Sequence, residues 1–195
     1  MGYTGFERLW LFFAFSFFGW VLETVTAAVR QRRFVNRGLV NGPFCVLYGI
    51  TGTAMIVVCR ELHGIWLFLG SMIFSTLAEW IAGHVIERMY HERWWDYSHM
   101  KWNLDGYICV PVSIVWGVLG AATMRWGAPV LVRVFRMLPR TPGHLIVWIL
   151  AAVLAMDVTA TLCILSGRSR RIRQWEGVDS WLTGVSSRLE RKIYG

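Results

Sequence analysis

Apolar residues in this chain fall in long unbroken blocks, without the short alternating or three-and-four spacing of a soluble core. Five blocks, Leu9 to Ala28, Gly42 to Cys59, Gly64 to Ile86, Tyr107 to Met124 and Leu145 to Leu165, are long enough or nearly so to cross a bilayer. A hydrocarbon layer of about 30 Å takes roughly 20 helical residues. Each block is continuously apolar, whereas a barrel strand alternates apolar and polar positions over about 10 residues, so helices are expected. The pattern predicts an all-α polytopic membrane helix bundle of about five transmembrane helices over residues 1–167, with a separate basic tail at 168–195.

In the tail, Ile172, Trp175, Val178, Leu182, Val185, Leu189 and Ile193 recur at steps of three and four. That reads as an amphipathic helix lying in the interface against membrane lipids, or docking a partner. Between the blocks, Asn41-Gly42-Pro43 reads as a turn with helix 2 starting near Pro43. The connection around Glu61 and His63 is short, which makes helices 2 and 3 antiparallel neighbours. The stretch from Met89 to Gly106 is dense in both rings and charges, and its Trp94, Trp95 and Tyr97 suit anchoring at the interface. The first block is too long for a cleaved signal peptide, and Arg30, Arg32 and Arg33 behind it form a stop-transfer pattern.

Composition agrees with a membrane class: of 195 residues 55% are hydrophobic and 16% charged, which leaves no room for a separate soluble domain. The net charge of +8 sits in connections and tail, so it speaks to orientation and implies no nucleic acid. The first connection, the third and the tail together hold 14 of the 20 Lys and Arg and are expected on the cytoplasmic side. The N-terminus is then outside and the C-terminus inside, in the cytoplasmic (inner) membrane. The fourth connection, with Arg125, Arg133, Arg136 and Arg140, runs against this rule. Cys45, Cys59, Cys109 and Cys163 lie in or at apolar blocks with no close pair and read as packing residues.

The chemistry is expected at the acids inside the helices, since an aspartate near the bilayer centre costs roughly 2.5 to 3.5 kcal/mol. Glu23, Glu79 and Asp157 must therefore face protein or water. Counted from the helix ends they lie roughly 8 to 12 Å inside the same membrane face. Asn41, Tyr48, Pro111 and Ser113 start helices 2 and 4 at a similar level. Glu79, Gly83 and Glu87 follow at steps of four and carry an acidic stripe toward the Trp-rich connection. These acids either bind something in a polar vestibule or pair with arginines such as Arg37 and Arg93 to hold the helices in register. His84, Glu87 and His91 share one helical face, but no second ligand cluster accompanies them, and neither a metal nor a cofactor is assigned. A phosphate-binding P-loop is absent, so the chain is not expected to be the ATP-hydrolysing part of a transporter, and neither a Gly-x-Ser-x-Gly elbow nor a His-Glu-x-x-His pair occurs, which removes the easiest serine and zinc hydrolase readings.

Three segments together resemble one family: Phe18-Gly19-Trp20-Val21-Leu22-Glu23; Phe34-Val35-Asn36-Arg37-Gly38 continuing through Asn41-Gly42-Pro43-Phe44-Cys45 to Tyr48-Gly49; and Arg93-Trp94-Trp95-Asp96-Tyr97-Ser98 leading to Asn103-Leu104-Asp105-Gly106. The combination is similar to the bacterial family called putative ABC-transporter type IV and spans roughly residues 10 to 120. The chain departs from it at Val46 and Tyr107, where the pattern carries proline and arginine. The resemblance implies a permease-like protein working with a separate ATPase subunit, and five helices imply a homo-oligomer if they form a pathway.

The expected function is a permease-like protein whose cluster of Glu23, Asn36, Arg37, Asn41, Tyr48, Glu79, Glu87, Arg93, Asp96 and Asn103 binds or passes a solute, ion or lipid. One alternative is a membrane enzyme on a lipid or isoprenoid head group, with Glu79 or Asp96 as acid or base and Arg37 or Arg93 holding phosphate. The other is a non-catalytic organiser or complex subunit that docks a partner through its tail.

Overall fold

The computed structural model describes residues 2–32, 42–90 and 93–165. Helix α1, Gly5–Gln31, opens on a capping box in which Thr4 Oγ1 accepts from Glu7 N while Thr4 N donates to Glu7 Oε2 at 2.8 Å. Helix α2 is Val46–Val58 and α3 is Gly64–Tyr90. Two short strands follow, β1 (Asn103–Leu104) and β2 (Ile108–Cys109), then α4 (Val110–Ala122), a π turn over Thr123–Gly127, α5 (Ala128–Met137) and α6 (Arg140–Leu165). Helix α4, the π turn and α5 form one continuous rod, Val110–Met137. With that rod counted once, the described residues form five helices, of which four are long and apolar enough to cross a membrane.

Helices α1, α3 and α6 extend three to five residues past the blocks read from sequence, and three other boundaries differ in kind. Helix 2 begins at Val46, after Pro43, and at 13 residues covers only about 20 Å. The non-helical residues before it are shielded by protein: Phe44 and Cys45 are buried, and Cys45 N donates to Ser16 O at 2.9 Å.

The fourth span runs on to Met137, so Arg125, Arg133 and Arg136 lie on a helix and the fourth connection shrinks to Leu138 and Pro139. Hydropathy falls after Met124 because α5 is amphipathic. It buries Ala128, Val132 and Phe135, a stripe at steps of four and three, and Ala128 and Val132 pack with Leu11 and Phe15 of α1. Pro129 cannot donate into the ladder, and the wider π turn just before it is where the helix absorbs that loss.

The last difference is a hairpin where helix 4 was expected to start. Asn103 pairs with Cys109 and Leu104 with Ile108, around Asp105 and Gly106, both at positive φ. Asp-Gly is a strong hairpin signal, because both residues tolerate the left-handed backbone that the turn needs.

The bundle is apolar outside and close-packed through small residues inside. Leu22, Val25, Ile73, Leu77, Val115 and Val118 are exposed, as lipid-facing positions are. The helices meet at Gly49 and Gly52 of α2 against Ser16, Phe12 and Phe15 of α1, and at Gly120 of α4 against Ser71 of α3. Close backbone approach over glycine and serine is how helices associate in lipid, where hydrophobic burial gives little drive. Cys45, Cys59 and Cys109 are buried free thiols, and Cys163 is exposed. Chain contacts divide the molecule into a unit Met1–Ala151 and a second, Ala152–Gly195, which begins within α6.

Candidate functional site

The first unit brings two half-buried acids, Glu23 and Glu79, to one place from different helices. Tyr48 Oη, at the start of α2, donates to Glu23 Oε1 of α1 at 2.7 Å. Tyr97 Oη donates to Glu79 Oε1 of α3 at 3.1 Å. The carboxylates of Glu23 and Glu79 are near enough to bear on each other electrostatically, and both bear on the phenol of Tyr48. Gly19, one turn before Glu23, lets this happen: an added Cβ there would overlap the Tyr48 ring. Trp116 of α4 stands edge-on to Tyr48 with centroids 5.8 Å apart. Its indole N–H lies near enough to bear on Glu79, yet neither Trp116 Nε1 nor Glu79 Oε2 has a partner at hydrogen-bond geometry, so this is an approach and not a made bond.

Glu23 stands eight residues before Gln31 and Glu79 eleven before Tyr90, about 12 and 17 Å in from those helix ends. Among the described residues no cation pairs with either carboxylate: the deep acids are held by phenols.

The segment from Arg93 to Cys109 folds back over the acidic stripe of α3. Tyr97 meets Glu79. Tyr107 and Trp95 cover Gly83, where an added Cβ would stand 2.7 Å from Tyr107 Cδ1. Tyr107 Oη donates to Glu87 Oε2, and Arg93 Nε donates to the same oxygen at 3.1 Å. The Arg93 guanidinium also lies over the Tyr107 ring, 4.6 Å from its centroid, and His84 stacks on that ring at 4.0 Å.

The segment is bonded to itself throughout. Arg93 Nη1 donates to Asp105 O at 3.0 Å, Trp95 Nε1 to Tyr107 O at 2.9 Å and Tyr97 N to Gly106 O at 2.9 Å. Asn103 Nδ2 donates to Met100 O at 2.7 Å, and its Oδ1 accepts from Gly106 N at 3.0 Å. Asp96 Oδ1 accepts from Ser98 N and from Ser98 Oγ. Those bonds hold the Asp96 carboxyl below the usual range. The hydrogen bond with Glu87 raises the Arg93 guanidinium further, and burial first, then Glu79, pushes the Tyr97 phenol well above its ordinary value.

The expected site thus divides in two. Glu23, Tyr48 and Glu79 meet inside the bundle. Glu87, Arg93, Asp96 and Asn103 build the cap above them, each hydrogen-bonded within that cap. Asn36, Arg37 and Asn41 lie outside the described residues, as do His91 and the tail at 168–195, while Asp157 belongs to the second unit. His84 turns its Nδ1 to Trp80 O at 2.9 Å. Among the described residues no three His, Cys, Asp or Glu side chains could hold a metal.

Sequence reasoning did not include Tyr97, Tyr107 or Trp116 in the site. Tyr107 was legible only as a departure from a pattern, yet it is the ring on which His84, Glu87 and Arg93 converge.

The family model described as Putative ABC-transporter type IV matches residues 10–162. This chain belongs to that family. The match takes in every residue of the inner cluster and the whole cap, and reaches past residue 120 through most of α6. Membership and the apolar helices together make this type IV chain a multi-pass membrane protein. Comparison with curated proteins finds no match, and comparison with solved structures finds none either.

Proposed function

We propose that this protein is permease-like and that the Glu23–Tyr48–Glu79–Tyr97 cluster binds, or passes on, a solute, ion or lipid group that is cationic or rich in hydrogen-bond donors. One observation carries the reading. Two carboxylates from separate spans, each held by a phenol, lie near enough to bear on each other electrostatically, with no cation paired to either among the described residues and with Glu79 Oε2 unpartnered. Such an arrangement in an apolar bundle is costly, and intramembrane acids mark pathways by default. The cap on α3 stands between the cluster and the nearer end of the bundle, so its opening would gate access. By the bias of Lys and Arg that end is cytoplasmic. A homo-oligomer and a separate ATPase subunit fit a small permease of this family.

The head-group enzyme has less support, because Asp96, one candidate acid or base, is bonded to Ser98, and Arg93, one candidate phosphate holder, is bonded to Glu87 and Asp105 O, while Arg37 lies outside the described residues. The test is flux into proteoliposomes for protons, sodium, potassium and small organic amines. Uptake lost in Glu79→Gln and in Tyr97→Phe, with both variants folded, is the expected result. Equal uptake by wild type and both variants would end the proposal.

A further inference from the structure

Near the middle of α1 the π turn leaves a groove. Thr123–Gly127 widens the rod where α1 passes it, Gly127 adds no side chain, and a cavity of about 420 Å³ remains between the two helices. Phe15 and Phe18 of α1 and Trp126, Val130 and Leu131 of the rod form its apolar walls. Phe18, Trp126 and Val130 are more than half exposed, so it opens sideways, away from the bundle. Phe15 is ten residues into α1, about 15 Å from its start, which puts the groove at hydrocarbon depth. Water gains nothing in an apolar recess, so hydrocarbon or another helix must fill it.

Charge selects between these occupants. Arg133 lies seven residues beyond Trp126, on the same helical face and about 10 Å further toward the end of the rod. Of the other arginines at that end, Arg136 pairs with Glu7, Arg60 with Glu61, and Arg8 Nε donates to Tyr3 O, while Arg140, exposed and in no ion pair among the described residues, opens α6 beyond the end of the rod. Arg133 is exposed and makes no ion pair among the described residues. An unpaired guanidinium at head-group level above an apolar slot is complementary to an anionic head group above an acyl chain, and a second copy of this basic end would repel it.

We propose that the groove seats one acyl chain of an anionic phospholipid whose phosphate rests on Arg133. The whole chain, purified in detergent, is titrated with dioleoyl phosphatidylglycerol or dioleoyl phosphatidylcholine and read by native mass spectrometry. Wild type is expected to hold the anionic lipid about fivefold more tightly. Arg133→Gln removes that preference, and Val130→Trp, which fills the slot, weakens both lipids. Retention of wild-type binding by both variants overturns the proposal. A photoreactive benzophenone side chain at position 126 keeps the test independent of Val130→Trp folding: cross-links to lipid support the proposal, and cross-links to a second protein copy overturn it.

Discussion

Glu7 and Arg136, 129 residues apart in the chain, meet with Nε 2.7 Å from Oε1 at the end of the bundle away from the cap. The carboxylate is buried and the guanidinium 60% exposed, and Trp10 Nε1 reinforces the junction by donating to Leu131 O at 2.9 Å. Nearby, Phe6 stacks on His144 of α6 with centroids 3.7 Å apart. The start of α1 is thereby tied to the end of α5 and the start of α6.

Glu7→Gln keeps the capping box but loses the ion pair. We expect a cost of about 1 kcal/mol, set low because the arginine is largely in solvent. Glu7→Ala loses both and should cost about 2 kcal/mol. Thermal unfolding in detergent of these variants and of Arg136→Ala measures the coupling, and a double variant no worse than the singles is expected.

Tyr48→Phe and Tyr97→Phe each take a donor from a half-buried carboxylate at membrane depth. Each should destabilise by about 1 to 3 kcal/mol, the penalty of a buried acceptor left unpaired. Adding Glu23→Gln to Tyr48→Phe should recover part of the loss, because a neutral amide needs less compensation. A full additive loss in chemical unfolding would contradict the pairing.

Gly83→Leu should lift the cap from α3, since even a Cβ there meets Tyr107. Gly106→Ala places a side chain at φ +75°, against Asp96 and Ser98, and should cost about 1 to 3 kcal/mol. Hydrogen exchange of residues 93–109 is the measurement. Faster exchange confined to that stretch is expected.

The cap should loosen in acid. Asp96 is held below its ordinary value by its bonds to Ser98, so its contribution is present above the unfolded-state value near 3.8 and is lost as pH falls through the folded one. Protein fluorescence compared between wild type and Asp96→Asn, with Trp94 and Trp95 as local reporters, should show an acid step below about pH 4 that the variant lacks.

The membrane class and the helical rods could be read along the chain, because hydrophobic cost accumulates residue by residue; Glu23 and Glu79 lie deeper than that count gives, because α1 and α3 run on to Gln31 and Tyr90. Glu79, Gly83 and Glu87 at steps of four even pointed to where the third connection would lie. The Asp105-Gly106 pair carries a turn signal of its own, but the strands it joins are only two residues each and leave no alternating pattern beside it. What partners each acid was not legible. Tyr48 reaches Glu23 and Tyr97 reaches Glu79 because of helix rotation and of a loop folding back, neither of which local spacing encodes. The continuity of the rod through Pro129 and the meeting of Glu7 with Arg136 were likewise decided by α5 burying its stripe on α1. Propensity and hydropathy act locally, whereas these contacts exist only once distant segments share one packed interior.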